Sequence, residues 1–300
     1  MTELSQVLAF DIGGSHATVG MVDRESFAIT CVNSCAIDSN GAADSILRQI
    51  CSLGEKALAQ ARLSGRSPIG LAFAVPGPFD YERGISLLRH KYSSLYEMNL
   101  RRVFERSFGI GGENIAFLND AQAFLLGECH AGAVKGIGRC IGLTLGTGVG
   151  SAFAINGAIV DAGADVPPGG EIYCLPWEGR TIEDAVSTRA IQERYRQLAG
   201  ETKSVLEICT AATEDRYAPL VMSEFGRNLG AVVREFCLPF RPEAIVLGGA
   251  ISRSAALFVP GAVGSFGDES VPLLQVSMLF DNAPLVGAAV RCLEGVLPRA

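Results

Sequence analysis

Residues 9–22 read AFDIGGSHATVGMV, and residues 142–155 read GLTLGTGVGSAFAI. Each stretch consists of an apolar strand, a glycine-rich turn that carries a hydroxyl side chain, and a second apolar strand. Glycine has no Cβ and tolerates positive φ, so such a turn lets backbone N–H groups approach an anion closely. Two of these turns in one chain predict two halves that grip one polyphosphate from opposite sides.

The segments around the first turn predict alternating strands and helices. Apolar runs indicate strands at 7–12, 17–23, 27–37, 69–75 and 115–118, and helical spacing indicates helices at 42–63 and 98–108. The first glycine turn leads from strand to strand, whereas the Rossmann turn leads from a strand into a helix. We therefore expect an α/β fold of a different kind. The lack of a GxxxxGK[ST] motif also excludes a P-loop protein.

The second half of the chain repeats this alternation. The patterns predict a helix at 120–132, a strand pair within 140–156, helices at 181–199 and 218–238, a strand at 244–247 and a helix at 284–296. We place the boundary near residues 119–121, which gives an N-terminal lobe of 1–119 and a C-terminal lobe of 120–285. The last helix, 286–300, is a candidate to return to the first lobe.

Composition narrows the classes of function. The 300 residues are 48% hydrophobic with a net charge of −7, which favours sizeable buried cores and disfavours nucleic acid as a partner. An acidic chain must hold a phosphate with local N–H groups and a metal ion. There is no signal-peptide pattern and no long uncharged apolar run, so we expect a cytoplasmic protein with no membrane partner. Nine scattered cysteines without a CxxC pair, and three histidines, predict reduced thiols and no structural zinc.

Two aspartates follow apolar strands and are candidates for chemistry. Asp11 ends the first strand beside Gly13 and Gly14, where a carboxylate could hold Mg²⁺ against a polyphosphate or simply bond to its own turn. Asp120 comes at a strand end and opens a helix. It could take a hydroxyl proton as general base in phosphoryl transfer, or it could be the N-cap of that helix. The two carboxylate oxygens could divide these roles.

Three further segments have both a functional and a purely structural interpretation. Glu171 follows a Pro-Pro-Gly-Gly run and Glu183 lies near a helix start, so both could accept hydrogen bonds from sugar hydroxyls. Otherwise the first is a solvated loop residue, and the second is an acid favoured by the helix dipole. The Gly248-Gly249-Ala250 segment could pack against adenine or ribose, or form an ordinary turn from strand to helix.

Several motifs together resemble the ROK family of sugar kinases, within the actin/hexokinase/Hsp70 ATPase fold. They are DIGGS at 11–15, VPGPFD at 75–80, NDAQA at 119–123 with GE at 127–128, LTLGTGVG at 143–150, GEI at 170–172 and VLGG at 246–249. These motifs cover essentially the whole chain in the family's order. The resemblance implies an α/β fold of two ribonuclease-H-like lobes with a cleft between them.

The resemblance also implies ATP-dependent phosphorylation of a hexose or hexose derivative, and a homodimer. Asp120 is then the base on the sugar hydroxyl, and Asp11 helps to hold Mg²⁺. The implied ATP-binding residues are Asp11, Gly13, Gly14, Ser15, His16, Gly146, Thr147, Gly148, Gly248, Gly249 and Ala250. The implied sugar-binding residues are Gly77, Asn119, Glu171 and Glu183.

Three departures from the family pattern fall on the sugar side. Cys174 stands where the family has a histidine, and residues 177–183, WEGRTIE, stand where it has the zinc motif CxCGxxGC. Lys91 falls where the family has an asparagine after the PGP segment. This predicts a cation in the substrate pocket that would suit an unusual or acidic sugar, and the alternative is a solvated basic cluster.

Three functions remain open at this point. The leading one is an ATP-dependent sugar kinase. The second is a catalytically weak or inactive relative that senses sugar or nucleotide, which the missing histidine and zinc motif favour. The third is an ATPase that drives a partner, which the PGP and Asn-Asp segments disfavour. No helix-turn-helix pattern precedes the first motif, so we expect no DNA-binding role.

Overall fold

The computed structural model describes residues 6–267 and 271–296. The strands are β1 (Gln6–Ile12), β2 (His16–Asp23), β3 (Ile29–Ala36), β4 (Pro68–Val75), β5 (Phe79–Asp80), β6 (Ile85–Ser86), β7 (Ile115–Asn119), β8 (Arg139–Leu145), β9 (Val149–Ile155), β10 (Ala158–Ile159), β11 (Pro176–Trp177), β12 (Arg180–Thr181), β13 (Ala244–Gly248) and β14 (Leu273–Val276). The α-helices are α1 (Ala43–Leu63), α2 (Leu100–Phe108), α3 (Asp120–Ala131), α4 (Ile182–Ala185), α5 (Thr188–Ala199), α6 (Val205–Thr210), α7 (Ala218–Val232), α8 (Ala255–Val263) and α9 (Ala283–Val296).

The described chain separates into two compact units. The first comprises residues 6–131 and 281–296, and the second comprises 132–267 and 271–280. The predicted boundary at residue 119 lies one helix earlier, because α3 packs against α9 in the first unit. A Cβ on Gly127 would lie 2.1 Å from the carbonyl oxygen of Ala283, and one on Gly287 would lie 1.8 Å from that of Ala123. Glycine at these two positions therefore permits the close approach of the helices. Residues 297–300 of the predicted last helix lie outside the described residues.

The first unit is built on a five-stranded sheet in the order β3-β2-β1-β4-β7. Strands β1, β2 and β3 are antiparallel neighbours, and β1, β4 and β7 are parallel. Phe10 and Phe73 stack with ring centroids 4.5 Å apart, in the same core as the buried residues of α1. At alternate positions of β1, Val7 and Ala9 are also fully buried, and α9 packs on the same strands.

The second unit repeats this plan. Its sheet has the order β10-β9-β8-β13-β14, in which β8, β9 and β10 are antiparallel and β8, β13 and β14 are parallel. Two glycines again mediate a helix pair: a Cβ on Gly226 would lie 2.1 Å from the carbonyl oxygen of Phe258, and one on Gly230 would lie 2.2 Å from that of Ala262. The α/β fold class with two lobes of similar build, which the family resemblance implies, is thus confirmed.

The structure differs from the predicted elements mainly in the second unit. The predicted helix 181–199 is two helices, because Ser187 Oγ accepts a hydrogen bond from Ala190 N–H and starts a new helix. The helix predicted at 218–238 is α-helical only to Val232 and continues as one π-helical turn over Val233–Cys237. Elements α6, α8 and β14 were not predicted. None of the described helices combines the length and apolar character that crossing a membrane requires.

Candidate active site

Three parallel strands of the first unit end at one edge of the sheet, and predicted site residues follow each of them. Asp11 of β1 pairs with Ala74 of β4, and Val75 of β4 pairs with Asn119 of β7. The edge therefore carries Asp11, the loop with Gly77, and Asn119 with Asp120. Ligands of open α/β sheets bind at such carboxyl ends of parallel strands.

Asp11 lies in a negatively charged, partly buried environment. Burial, and after it the charges of Asp120 and Asp281, raise the pKa of Asp11 to about 7. A divalent cation would offset this repulsion, and Mg²⁺ prefers oxygen ligands from one or two carboxylates together with phosphates and water. The donor set around Asp11 therefore fits Mg²⁺. Asp281 was missed by the sequence reasoning, because it lies far along the chain and belongs to no motif.

Asn119 and Asp120 begin helix α3 together. Asn119 Oδ1 accepts hydrogen bonds from the N–H groups of Ala121 at 2.9 Å and Gln122 at 3.3 Å, and Asp120 Oδ1 also accepts from Ala121 N–H at 2.9 Å. The helix start thus does not depend on Asp120 alone. Burial raises the pKa of Asp120, while hydrogen bonding from Ala121 N–H and the charge of Lys91 act in the opposite direction.

A tyrosine links the Asn119 side chain to the end of β4. Asn119 Nδ2 donates to Tyr81 Oη at 3.3 Å, and the Tyr81 hydroxyl donates to the Val75 carbonyl at 3.3 Å. Tyr81 directly follows the VPGPFD motif, which ends at Asp80. No motif therefore pointed to Tyr81 as a site residue. The Asn119 amide is therefore held from both sides, by the helix start and by Tyr81.

The first glycine turn is closed by its own backbone. Gly13 N–H donates to the His16 carbonyl at 2.9 Å, whereas the N–H groups of Gly14 and Ser15 donate to no residue that the structure describes. Ser15 Oγ lies 3.1 Å from His16 Nδ1, and both side chains are exposed. The turn therefore presents two N–H groups that are open to an anion.

Lys91 lies on this turn. Its Nζ would be 3.1 Å from a Cβ built on Gly14, so the lysine, predicted on the sugar side, has its ammonium at the first glycine turn. The next residue, Tyr92, donates its hydroxyl to the Gly13 carbonyl at 2.5 Å. Tyr92 was not predicted, because nothing in the sequence connects it to a turn so far upstream.

The second glycine turn, in the second unit, is also closed by its own backbone, over a span one residue shorter. Gly146 N–H donates to the Gly148 carbonyl at 3.0 Å, and Thr188 donates to the Gly146 carbonyl through both its N–H and its Oγ1, each at 2.8 Å. The N–H groups of Thr147 and Gly148 have no acceptor within the described part of the chain. Glu183 lies against this turn, because a Cβ on Gly148 would meet its Oε2 at 2.1 Å.

The end of β13 lies next to the end of β8. Gly249 has a φ of +79°, and a Cβ there would lie 2.3 Å from the carbonyl oxygen of Leu145, one residue before the second turn. Gly248 and Ala250 flank this close approach, and Ala250 is exposed. The predicted nucleoside segment and the second glycine turn are therefore neighbours in the second unit.

Glu171 and Glu183 come together around Tyr173. Burial, and after it the charges of Glu171, Cys174 and Glu183, raise the pKa of Tyr173. Glu183 N–H also donates to the Tyr173 carbonyl at 3.1 Å. The two glutamates predicted to bind sugar thus lie in one part of the second unit, with the exposed Cys174 beside them.

The segment that replaces the expected zinc motif forms the β11–β12 hairpin. Glu178 and Gly179 turn it with φ values of 48° and 76°, and Trp177 is buried in the core of the second unit. Thr181 then forms a reciprocal capping box with Asp184, which starts α4. Apolar packing and a helix cap therefore position Glu183. In residues 6–267 and 271–296, no three His, Cys, Asp or Glu side chains are grouped as metal ligands.

Comparisons with known proteins indicate the family and the fold of the chain. The model of the ROK family matches residues 7–294. The glucokinase of Thermotoga maritima is 25% identical over 95% of this chain and 96% of its own length. A crystal structure of a ROK family glucokinase from Streptomyces griseus, in complex with glucose and AMPPNP, has a TM-score of 0.78 at 23% identity and covers 95% of this chain and 98% of its own.

Regulators share the fold as well. A ROK family transcriptional regulator, a homologue of the E. coli MLC protein, has a TM-score of 0.81 at 20% identity and covers 97% of this chain and 78% of its own. At these identities the solved structures show a common fold, that of the actin-like ATPases. Since the family model extends over nearly the whole sequence, the chain belongs to the ROK family.

Proposed function

We propose that this protein transfers the γ-phosphoryl group of ATP to a hydroxyl of a hexose or hexose derivative, with Asp120 as the general base. The observation that carries the proposal is the position of Asp120, at the same strand-end edge as Asp11 and in a site whose burial raises its pKa. A carboxylate with a raised pKa is a stronger proton acceptor, which suits the removal of a hydroxyl proton.

The helix start supports this role for Asp120. Asn119 Oδ1 already accepts hydrogen bonds from the N–H groups of Ala121 and Gln122. The helix start therefore keeps these two hydrogen bonds when Asp120 turns to the hydroxyl of the phosphoryl acceptor. Since Oδ1 of Asn119 is occupied in this way, its Nδ2 is the group that would donate to the sugar. Tyr81 fixes the orientation of that amide.

The two glycine turns would bind phosphate oxygens of ATP through backbone N–H groups. In the first unit these are Gly14 and Ser15, with His16 exposed beside them, and in the second unit they are Thr147 and Gly148. The Gly248–Ala250 segment, next to the second turn, would receive the nucleoside. Asp11 would hold Mg²⁺, and the bound ion would neutralise charge on the phosphates.

On the sugar side, the proposal assigns hydrogen-bond acceptors to Glu171 and Glu183. Both lie near Tyr173, and the contact of Glu183 with Gly148 brings this pair to the second glycine turn. Gly77 and Asn119 would contact the sugar from the first unit. Cys174 is exposed and offers neither the hydrogen bonds nor the charge of a histidine.

The likeness to a transcriptional regulator supports one alternative, a relative that binds sugar without turnover. A coupled assay of ADP release separates the two functions, using glucose, mannose, fructose, N-acetylglucosamine, N-acetylmannosamine and gluconate as acceptors. Sugar-dependent ADP release supports the kinase. A sugar that raises the thermal unfolding temperature without stimulating ADP release supports the sensor, and ADP release that no sugar stimulates indicates an ATPase.

A further inference from the structure

The ammonium group of Lys91 has an unusual place for an exposed lysine. Its Nζ lies 3.1 Å, and its Cδ and Cε lie 3.5 Å, from the point where a Cβ of residue 14 would be. Only glycine at position 14 leaves this room, because a side chain there would push the lysine off the turn. Lys91 makes no ion pair with any residue in the described part of the chain.

The turn beneath this ammonium is itself built for an anion. The N–H groups of Gly14 and Ser15 have no acceptor among residues 6–267 and 271–296. The rest of the turn is fixed, because Gly13 N–H donates to the His16 carbonyl and the Ser15 carbonyl accepts from Ile37 N–H at 2.8 Å. Within the described part of the chain, this turn thus combines one cation without an ion pair and two N–H groups without an acceptor, which match the oxygens of a phosphoryl group.

Tyr92, the residue after Lys91, is fixed to the same turn. Its side chain is only 2% exposed, its hydroxyl donates to the Gly13 carbonyl at 2.5 Å, and its N–H donates to the Ser39 carbonyl at 2.8 Å. Its backbone is left-handed, with a φ of 52°, which is an unfavourable conformation for an aromatic residue. The surrounding contacts therefore impose the conformation that directs the preceding residue, Lys91, across the turn.

Lys91 also lies within electrostatic reach of Asp120, since its charge opposes the rise in the pKa of that carboxyl. The ammonium is thus near both the phosphate-binding turn and the base. In phosphoryl transfer, the migrating group lies between the nucleotide and the acceptor hydroxyl. A cation in this place is suited to the charge that develops on the migrating group.

We propose that Lys91 is a catalytic residue that contacts the migrating phosphoryl group, and that Tyr92 is the positioning residue that keeps it over Gly14. The proposal rests on the proposed kinase function. In the step concerned, the bond between the γ-phosphorus and the bridging oxygen breaks, and that oxygen leaves with the electron pair on ADP. The sugar oxygen forms the new bond to phosphorus, and its proton passes to Asp120. Lys91 takes no part in this proton transfer and forms no covalent bond.

The first test compares Lys91→Met with Lys91→Arg and with Lys56→Met, an exposed lysine of α1 that serves as the matched control. With the best neutral sugar of the panel, Lys91→Met is expected to lower kcat by ~10²-fold or more and to raise the KM for ATP by about 10-fold, because the same contact holds the γ-phosphoryl group before transfer. Lys91→Arg is expected to restore part of kcat, and Lys56→Met to leave it unchanged.

A binding measurement tests the same contact without turnover. Titration calorimetry with AMPPNP and with ADP is expected to show that Lys91→Met weakens AMPPNP about 10-fold more than ADP, because only AMPPNP carries the γ-phosphoryl group. If wild type shows no sugar-dependent ADP release, the kinase function fails, and this ratio still tests the contact of Lys91 with the γ-phosphoryl group.

Tyr92→Phe tests positioning against a merely structural role. The variant is expected to lower kcat about 5-fold in the wild-type background and to have no further effect on kcat in the Lys91→Met background, whereas any loss of thermal stability is expected in both. The proposal would be overturned if Lys91→Met kept the wild-type kcat on neutral sugars, or if its kcat fell only with gluconate as the acceptor. Equal weakening of AMPPNP and ADP would also overturn it.

Discussion

Asp120→Asn exchanges one carboxylate oxygen for an amide nitrogen and leaves the start of α3 intact, because Oδ1 can still accept from Ala121 N–H. We expect sugar-dependent turnover to fall at least ~10²-fold, since an amide cannot take the hydroxyl proton. The coupled ADP-release assay measures this loss, and circular dichroism should show no loss of helix. Asp38→Asn is the control, because Asp38 is an exposed turn acceptor for Asn40 N–H. Wild-type turnover in Asp120→Asn would remove Asp120 from the mechanism.

Because the pKa of Asp11 is raised in the folded protein, the free energy of unfolding depends on pH. The folded protein keeps a proton on Asp11 up to about pH 7, whereas the unfolded chain releases it near its ordinary pKa. The stability that this group contributes is therefore complete below about pH 4 and is lost as the pH rises to about 7. We expect Asp11→Asn to unfold about 4 °C above wild type at pH 8 and much closer to it at pH 4, measured without ligands.

Asp23→Asn provides a control of opposite sign. Hydrogen bonds from the side chain and N–H of Ser26 lower the pKa of Asp23, so its contribution is present at neutral pH and lost in acid. Asp23→Asn should therefore not raise the unfolding temperature at pH 8. An Asp11→Asn variant that is no more stable than wild type at pH 8 would contradict the electrostatic description of the site.

At the scale of elements, the approach of β13 to β8 depends on Gly249. Both Gly249 and Gly200 have positive φ, but a Cβ on Gly200 would meet no atom of the described residues within 4 Å, whereas one on Gly249 would lie 2.3 Å from Leu145 O. Gly200→Ala should lower the free energy of unfolding by ~1–2 kcal/mol, because alanine disfavours the left-handed backbone conformation. Gly249→Ala should cost clearly more, about 3 kcal/mol or above, because the strand ends must move apart. Urea unfolding of the two variants measures the difference, and equal losses would contradict this account.

The elements that the sequence predicts well are those with a strong period. Helix α1 runs over Ala43–Leu63 against a prediction of 42–63, since Ile46, Ile50 and Leu53 fall on one buried face. The break between α4 and α5 was missed because a serine inside an apolar helical pattern gives little sign that it caps a new helix. Strand β14 was missed because Leu273 is half exposed and the run is only four residues long.

The same contrast holds for the site. Asp11, Asn119 and Asp120 follow strands that the sequence predicts, so their shared edge could be expected from the parallel arrangement. The contacts of Tyr81, Tyr92 and Asp281 depend on packing between segments distant in sequence, and no local pattern encodes such packing. Lys91 lies over Gly14 next to Tyr92, whose left-handed backbone no propensity favours.

At the scale of the whole molecule, each unit has its own pair of helices packed through glycine. A Cβ on Gly287 would meet Ala123 O at 1.8 Å in the first unit, and one on Gly226 would meet Phe258 O at 2.1 Å in the second. The single tryptophan, Trp177, lies in the second unit, so its fluorescence reports on that unit. We expect Gly226→Ala to shift the fluorescence transition in urea to lower concentration.

Gly287→Ala should behave differently in the same experiment. The substitution destabilises the first unit, whereas Trp177 reports on the second unit. The unfolding transition followed by circular dichroism, which reports on both units, should therefore begin at a lower urea concentration than the transition followed by Trp177 fluorescence. If the two probes still report one coincident transition in Gly287→Ala, the units unfold as a single cooperative body instead.

The position of α9 in the chain has a consequence for biosynthesis. The ribosome completes the second unit before it makes α9, although α9 covers β1, β4 and β7 of the first unit. One face of the sheet in the nascent first unit therefore stays uncovered until α9 has been made, while the second unit can already fold. Translation arrest just before α9 should yield a chain whose second unit resists protease and whose first unit is cut and binds chaperones. The contact of α3 with α9 through Gly127 and Gly287 thus forms only after the second unit has been synthesised.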